Sequence, residues 1–508
     1  MIEPIMKRFQ NRLQDLSFGT EMDRFGLVRE VGDGIAICEG PKNARAGELL
    51  SFENKGLGIA FDLREKEIGC VLLTGIEHVA TGTRVRTTNR IVDVPVGEGL
   101  VGRVVNALGN PLDDGPWIQT QERYPVEREA LGIAARGPVN SPLHTGTKAV
   151  DAMIPLGRGQ RELILGDRFT GKTTIAIDAI LNQREENVFC IYVAIGQRAS
   201  SVARVIQALK DGGAMKYTIV VVAASDDPPG LQFIAPYAGC SMGERMARDG
   251  KDVLIVYDDL SKHSNVYREL SLLFRRPPGR EAFPGDVFYI HSRLLERAMR
   301  WADDRGGGSL TALPIVETKA GNISAYIPTN LISITDGQIY LDSKLFHQGQ
   351  RPSIDVGRSV SRVGGKTQIP ALRGVANRLR LEYSQFQEVE VFTRFGAQME
   401  EATVKRIERG RRIREILKQP RLCPVRVGSL IALLWAANEG MLDDVPVGKI
   451  QEYEERLMLG LHEKTIDLLQ ELNHGEDLDE DRTALLKEAL EQIKEEWKNE
   501  NNEQTSAG

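Results

Sequence analysis

The rhythm of apolar and polar positions changes three times along the chain. Near its start, Ile5, Phe9, Leu13 and Leu16 recur at spacings of four, four and three, which predicts a short amphipathic helix within residues 1–25. A helix this short is marginal alone, so it is expected to lie on a partner subunit or on its own domain. Over residues 26–93 the texture becomes β-rich. Gly34-Ile-Ala-Ile-Cys38, Glu48-Leu-Leu-Ser-Phe52, Gly58-Ile-Ala-Phe61, Ile68-Gly-Cys-Val-Leu-Leu73 and Arg84-Val-Arg-Thr-Thr88 alternate with Gly, Asn and Asp punctuation. Strands about ten residues apart predict a small closed barrel or sandwich, read here as a structural collar without catalytic groups.

From 94 to 368 a Pro/Gly-rich passage leads into alternating strands and helices, the signature of a parallel sheet. Leu163-Ile-Leu165, Asn187 to Ile195, Thr218 to Ala224 and Asp252 to Tyr257 are nearly continuous apolar runs, as strands covered on both faces require. From 369 to 508 strand signals vanish. Leu372, Val375, Leu379, Tyr383, Phe386 and Val389 fall at helical spacing, as do Leu430, Leu433, Leu434 and Ala437, which predicts a helical C-terminal domain.

Composition narrows the function classes. The 508 residues are 41% hydrophobic and 27% charged, the balance of a globular protein of several domains. No apolar run approaches the roughly 18 residues needed to cross a bilayer, and the first eight residues lack the apolar core of a signal peptide. The chain is therefore expected to be soluble and not exported, meeting a membrane only through partners. Five scattered cysteines, at 38, 70, 190, 240 and 423, show no zinc or disulfide spacing and are expected to be reduced thiols. A net charge of −6 argues against nucleic acid as a partner. Residues 475–508 carry 11 acids against 4 bases, a net of −7, so the negative excess sits in this tail, expected as a solvated helix face with a frayed end.

The chemistry centres on Gly166-Asp-Arg-Phe-Thr-Gly-Lys-Thr173, which follows an apolar strand and opens the helical run Thr174-Ile-Ala-Ile-Asp-Ala-Ile-Leu181. This is the phosphate-loop pattern in its required strand–loop–helix context. Its glycines let successive backbone N–H groups turn inward to form an anion nest at a helix N-terminus. Residues Gly166, Asp167, Arg168, Phe169, Thr170, Gly171, Lys172, Thr173 and Thr174 are thus candidates for holding ATP or ADP. Lys172 would meet the outer phosphates, and the Thr173 hydroxyl would ligate their Mg²⁺. The strand at 252–257 delivers Asp258-Asp259 to the edge where such a sheet holds its ligand. Asp258 suits the metal side, and Asp259 suits a helix N-cap. The fold class expected is multidomain: a small N-terminal β-barrel, a central α/β P-loop (RecA-like) nucleotide-binding domain and a C-terminal α-helical bundle.

Further stretches then become readable, in order: Arg158-Gly-Gln-Arg-Glu-Leu163, Ala235-Pro-Tyr-Ala-Gly-Cys240, Arg275-Arg-Pro-Pro-Gly-Arg-Glu281, Pro284-Gly-Asp-Val-Phe288, His291-Ser-Arg-Leu-Leu-Glu-Arg297, Ala325-Tyr-Ile-Pro-Thr-Asn330 and Ser359-Val-Ser-Arg-Val-Gly364. Over residues 26–470 they resemble the alpha-subunit family of F-type (rotary) ATP synthases. In that family alpha and beta subunits alternate, both carry the loop, and only beta is catalytic. The opening Gly166-Asp-Arg is alpha-like, and Gln197 stands where the catalytic subunit has a glutamate. A neutral amide can orient water but cannot take its proton. The resemblance therefore implies a site that holds Mg-ATP without turning it over.

It also implies that Arg362 reaches in trans into a neighbouring beta site, and that Ser359 takes part in signalling between sites. Arg351, Pro352 and Gln419 would border the adenine. Here the family's Gln-Gly-Gln segment reads Gln419-Pro420-Arg421, and Phe169 replaces a Gln, putting a bulky ring in the phosphate loop. Implied partners are beta subunits in an alpha3–beta3 hexamer, a gamma rotor and stator subunits. The implied location is peripheral, on the cytoplasmic face of the cell membrane, with H⁺ or Na⁺ transport coupled to ATP synthesis or hydrolysis. The alternative reading is a self-sufficient hexameric secretion-export ATPase. A third, an RNA-translocating hexamer, would need a basic aromatic face that residues 26–93 lack.

Overall fold

The computed structural model describes residues 25–41, 43–120, 122–393 and 401–506, with backbone alone at 391–393 and 501–506. The helix expected at 5–16 lies outside the described residues. The chain divides into two compact units, one built on the barrel and one holding the α/β sheet together with the C-terminal helices.

The barrel has six strands: β1 (Phe25–Gly32), β2 (Ile35–Glu39), β3 (Glu48–Phe52), β4 (Leu57–Leu63), β5 (Glu67–Thr74) and β6 (Arg84–Ile91). They close in the order β1-β2-β5-β4-β3-β6, and every pairing is antiparallel. Small and large side chains share the interior: Ala36, Cys38, Ala60 and Cys70 beside Leu50, Phe52, Leu72 and Val85. The sequence reading missed β1. Its inward positions begin with Gly26 and Val28 while Phe25 and Leu27 face out, so the apolar alternation is inverted.

The second unit is organised on an eight-stranded sheet. Its strands are β7 (Val104–Asn106), β8 (Leu163–Gly166), β9 (Val188–Gln197), β10 (Thr218–Ala224), β11 (Asp252–Asp258), β12 (Ser309–Glu317), β13 (Gly337–Leu341) and β14 (Val360–Ser361). Their order is β14-β13-β8-β12-β11-β9-β10-β7. All pairings are parallel except the edge pair β13–β14. Val193, Ile191, Leu254 and Ile255 are fully buried, which explains the unbroken apolar runs. The parallel direction brings the C-terminal ends of β8, β9, β11 and β12 to one edge.

Among the described residues, six helices follow: α3 (Pro370–Thr393), α4 (Glu401–Ile416), α5 (Val427–Asn438), α6 (Ile450–Lys464), α7 (Ile466–Asn473) and α8 (Glu480–Ser506). The earlier α1 (Lys172–Leu181) and α2 (Leu260–Leu273) flank the sheet edge. Helix α5 is apolar on nearly all sides, so it is the central rod. The sheet and these helices share one continuous apolar core. The acidic tail is mostly α8. Leu486, Leu490, Ile493 and Trp497 form a buried seam, and Trp497 lies 5.1 Å from the Tyr453 ring centre. Lys494 and Lys498 both reach Asp444, each at 2.7 Å. No described helix is long and apolar enough to cross a membrane.

Candidate functional site

The loop between β8 and α1 passes through left-handed conformations at Phe169 (φ 63°) and Gly171 (φ 102°). Lys172 folds back into it, donating from Nζ to Gly166 O at 2.9 Å and to Asp167 O at 2.6 Å. Burial pulls the Lys172 ammonium below its ordinary range, while Glu317, Asp259, Asp258 and Asp167 hold it up. The ammonium is thus poised over carbonyls that a phosphate oxygen would outcompete, being charged where they are neutral.

Some loop candidates do other work. The Asp167 carboxylate accepts from Thr318 Oγ1 at 2.7 Å, Gly321 N at 2.9 Å and Ser343 Oγ at 2.9 Å. Burial opposes its ionisation, yet these donors keep its pKa below the usual range. It braces the loop from beneath and leaves only its backbone for a ligand. The Arg168 guanidinium is paired with Glu317. The Thr170 hydroxyl donates to Asp167 O, and Thr174 is half-buried on the first turn of α1. The Phe169 ring does not fill the loop as expected. It is 90% exposed, because the left-handed backbone turns it to solvent.

Asp258, 3% exposed at the end of β11, is the hub. Its Oδ2 accepts from Thr173 Oγ1 at 2.8 Å and from Tyr192 OH at 2.7 Å. Its Oδ1 accepts from Gln197 Nε2 at 2.9 Å. The two predicted metal-side residues therefore meet directly. Their donor set, a hydroxyl and a carboxylate, is all oxygen and suits a hard cation that keeps most of its own waters and phosphates.

Gln197 reaches Asp258 through a bulge. The β9–β10 register shifts between Ile195 and Gln197, where Gly196 sits at φ 57°, and the shift re-aims the amide. Asp259 is the N-cap, accepting from Lys262 N at 2.8 Å ahead of α2. Burial pushes its carboxyl up, to about 6, against the pull of Lys262 and with a further push from Asp258. Sequence reasoning missed Tyr192 and Glu317. A lone phenol in an apolar strand was the signal for the first, two residues before the Ala194 that pairs with Asp258 and hence on the same face.

The remaining candidates lie elsewhere. The Gln419 amide is engaged internally. It donates to Gly146 O at 2.8 Å and Cys423 O at 2.7 Å and accepts from Lys148 N at 2.9 Å. A buried amide must pair all its polar atoms, and here those partners are backbone groups. Its own N–H donates to Arg351 O at 2.8 Å, so Gln419 does neighbour Arg351-Pro352. The Arg351 guanidinium lies 4.9 Å from the centre of the Phe346 ring. Ser359 ties the edge of the sheet, donating to Asp355 O at 2.6 Å and accepting from Tyr340 N at 2.9 Å. Arg362, just past β14, is exposed and is held by its backbone N–H to Asp336 O at 2.8 Å.

Residues 146–361 match the nucleotide-binding domain of the ATP synthase alpha/beta family. Residues 22–89 match that family's beta-barrel domain, and residues 368–493 match its C-terminal domain. The ATP synthase subunit alpha of Aquifex aeolicus (strain VF5) is 52% identical over 495 residues, spanning 97% of this protein and 98% of that one.

Proposed function

The chain belongs to the ATP synthase alpha/beta family, and from that premise we propose that it is the non-catalytic, nucleotide-holding alpha subunit of an ion-translocating F-type ATP synthase. It alternates with beta subunits around a gamma rotor, is restrained by stator subunits, and meets the cytoplasmic face of the cell membrane only through that complex. Arg362 acts in trans on the nucleotide of the neighbouring beta subunit.

The observation that carries the reading is the Gln197 amide donating to Asp258 at 2.9 Å. An amide in that bond has no basic lone pair with which to take a proton from water. The backbone nest, Lys172 and Thr173 are the binding half of a phosphoryl-transfer site, and the base is the missing half. Magnesium bound with the nucleotide would neutralise phosphate charge, held by Thr173 and, through a water, by Asp258. Around it this subunit only binds and orients. Copurification tests the proposal: ATP turnover that needs a beta partner supports it, whereas a homohexamer of this protein with its own ATPase activity means a secretion-export type of motor instead.

A further inference from the structure

The Asp258 carboxylate is held by three side-chain donors, and they differ in how easily a ligand could displace them. The Thr173 hydroxyl and the Gln197 amide belong to half-buried residues at the ligand edge of the sheet. Tyr192, on β9, is 1% exposed, and its ring lies in the apolar core with Val220 and Val256, its partners on β10 and β11. Ala194 pairs with Asp258, so Tyr192 stands on the same face two residues earlier and reaches forward to the carboxylate. Its 2.7 Å bond to Oδ2 is the phenol's one hydrogen bond among the described residues. A buried phenol has no water to turn to if that partner is lost, so this donor stays in place when a ligand displaces others.

These bonds also decide what is left for a cation. An ionised carboxylate offers about four acceptor positions. Oδ2 takes Thr173 Oγ1 and Tyr192 OH, and Oδ1 takes Gln197 Nε2, which leaves about one position, on Oδ1. Thr173 Oγ1 gives its proton to Asp258, so its lone pairs are free for a metal. With Oδ2 held by two donors, the carboxylate cannot turn about its Cβ–Cγ bond without breaking the bond to the phenol. A carboxylate fixed in this way suits the small, near-octahedral Mg²⁺. The larger Ca²⁺ takes roughly six to eight ligands in a geometry that adjusts, and it gains less from a rigid one.

We infer that Tyr192 is a positioning residue that makes this site selective for Mg²⁺ over Ca²⁺, by holding the Asp258 carboxylate in one orientation from the core side of the sheet. It acts through Asp258 and touches neither the ion nor the nucleotide. Partners that orient a metal-side group in this way typically carry about 10- to 100-fold in metal affinity. The inference rests on Thr173 and Asp258 facing the metal of a bound nucleotide.

The test uses the purified full-length subunit as wild type, Y192F, D258N and the Y192F/D258N pair. Binding of a fluorescent ATP analogue is measured in EDTA and across titrations of MgCl2 and CaCl2. Y192F keeps the ring and loses only the hydroxyl. It is expected to raise the Mg²⁺ concentration for half-maximal binding about 10-fold, to shift the Ca²⁺ value less, and to leave the affinity in EDTA where it was. The pair is expected to need no more Mg²⁺ than D258N alone. A wild-type Mg²⁺ dependence in Y192F, a loss shared equally by Mg²⁺ and Ca²⁺, an equal loss in EDTA, or a Y192F chain that does not fold would each overturn the inference. If the wild type binds no analogue, or D258N keeps the wild-type Mg²⁺ dependence, the nucleotide–metal reading falls and takes this inference with it. If D258N loses that dependence and Y192F keeps it, only the inference fails.

Discussion

Two polar regions of the second unit are built on opposite principles. Around Asp258 the bonds close on one another: Thr173, Tyr192 and Gln197 donate to one carboxylate, and Lys172 donates to the loop's own carbonyls. Around Arg362 only the backbone is held. The guanidinium is exposed and makes no hydrogen bond or ion pair among the described residues. A closed network can hold a ligand by exchanging internal partners for phosphate oxygens. An open guanidinium at a sheet edge has no internal partner to exchange. The difference separates a site closed on itself from a group that, on the proposed reading, is supplied to a neighbour.

The largest expected effect breaks the open side. Arg362→Lys in the assembled complex is expected to lower multisite ATP turnover roughly 10³–10⁵-fold, about 4–7 kcal/mol in the barrier, without loss of assembly. An ammonium cannot reproduce the planar fork. Steady-state hydrolysis alongside size-exclusion chromatography checks it, and near-normal turnover would remove the trans role.

The closed side is broken by Lys172→Ala. Losing the lysine that folds over the loop is expected to weaken nucleotide binding by this subunit about 10- to 100-fold, the effect of one charge-assisted contact. Equilibrium binding of a fluorescent ATP analogue measures it. Turnover of the assembled complex should fall far less than with Arg362→Lys, and a reversed order would contradict the division between the two regions.

A smaller effect sharpens the setting of the closed side. Asp178, on α1 behind the loop, is buried, and its Oδ1 has no partner. Burial pushes its carboxyl up to about 7, against the pull of the Leu422 N–H. An acid whose pKa is raised on folding stabilises the fold at low pH and loses that stabilisation as pH rises through the folded value. The wild-type protein should therefore lose stability from about pH 4 to about pH 7, by at most about 4 kcal/mol from this group. Asp178→Asn should flatten that slope and raise Tm at pH 8. Thermal unfolding between pH 5 and 8 reads it, and an unchanged slope would rule Asp178 out as its source.

The phosphate loop was legible because its chemistry restricts residue types: no other pattern curls N–H groups inward and brings a lysine and a hydroxyl to one anion. Strands β2 to β6 were legible because short β-rich apolar runs are set off by Gly, Asn and Asp punctuation. Strand β1 hides its register behind Gly26. The seam of α8 was masked by the charges around it, although Leu486, Leu490, Ile493 and Trp497 repeat at four, three and four. Tyr192 and Glu317 act through parallel register, which couples residues far apart in the sequence and leaves only faint local marks, such as a single phenol in an apolar strand. The Phe169 ring faces out of the loop for a reason that residue type does not carry. A residue type shows what a side chain is able to bond to, and the backbone around it decides which way it faces.

The central claim is that the Gln197 amide leaves this protein able to hold a nucleotide and unable to hydrolyse it. The direct measurement is single-turnover incubation of the purified subunit with γ-labelled Mg-ATP, following bound nucleotide and released phosphate together. The account predicts stoichiometric binding that depends on Lys172, with no phosphate release above buffer. Steady release that Lys172→Ala abolishes would contradict it.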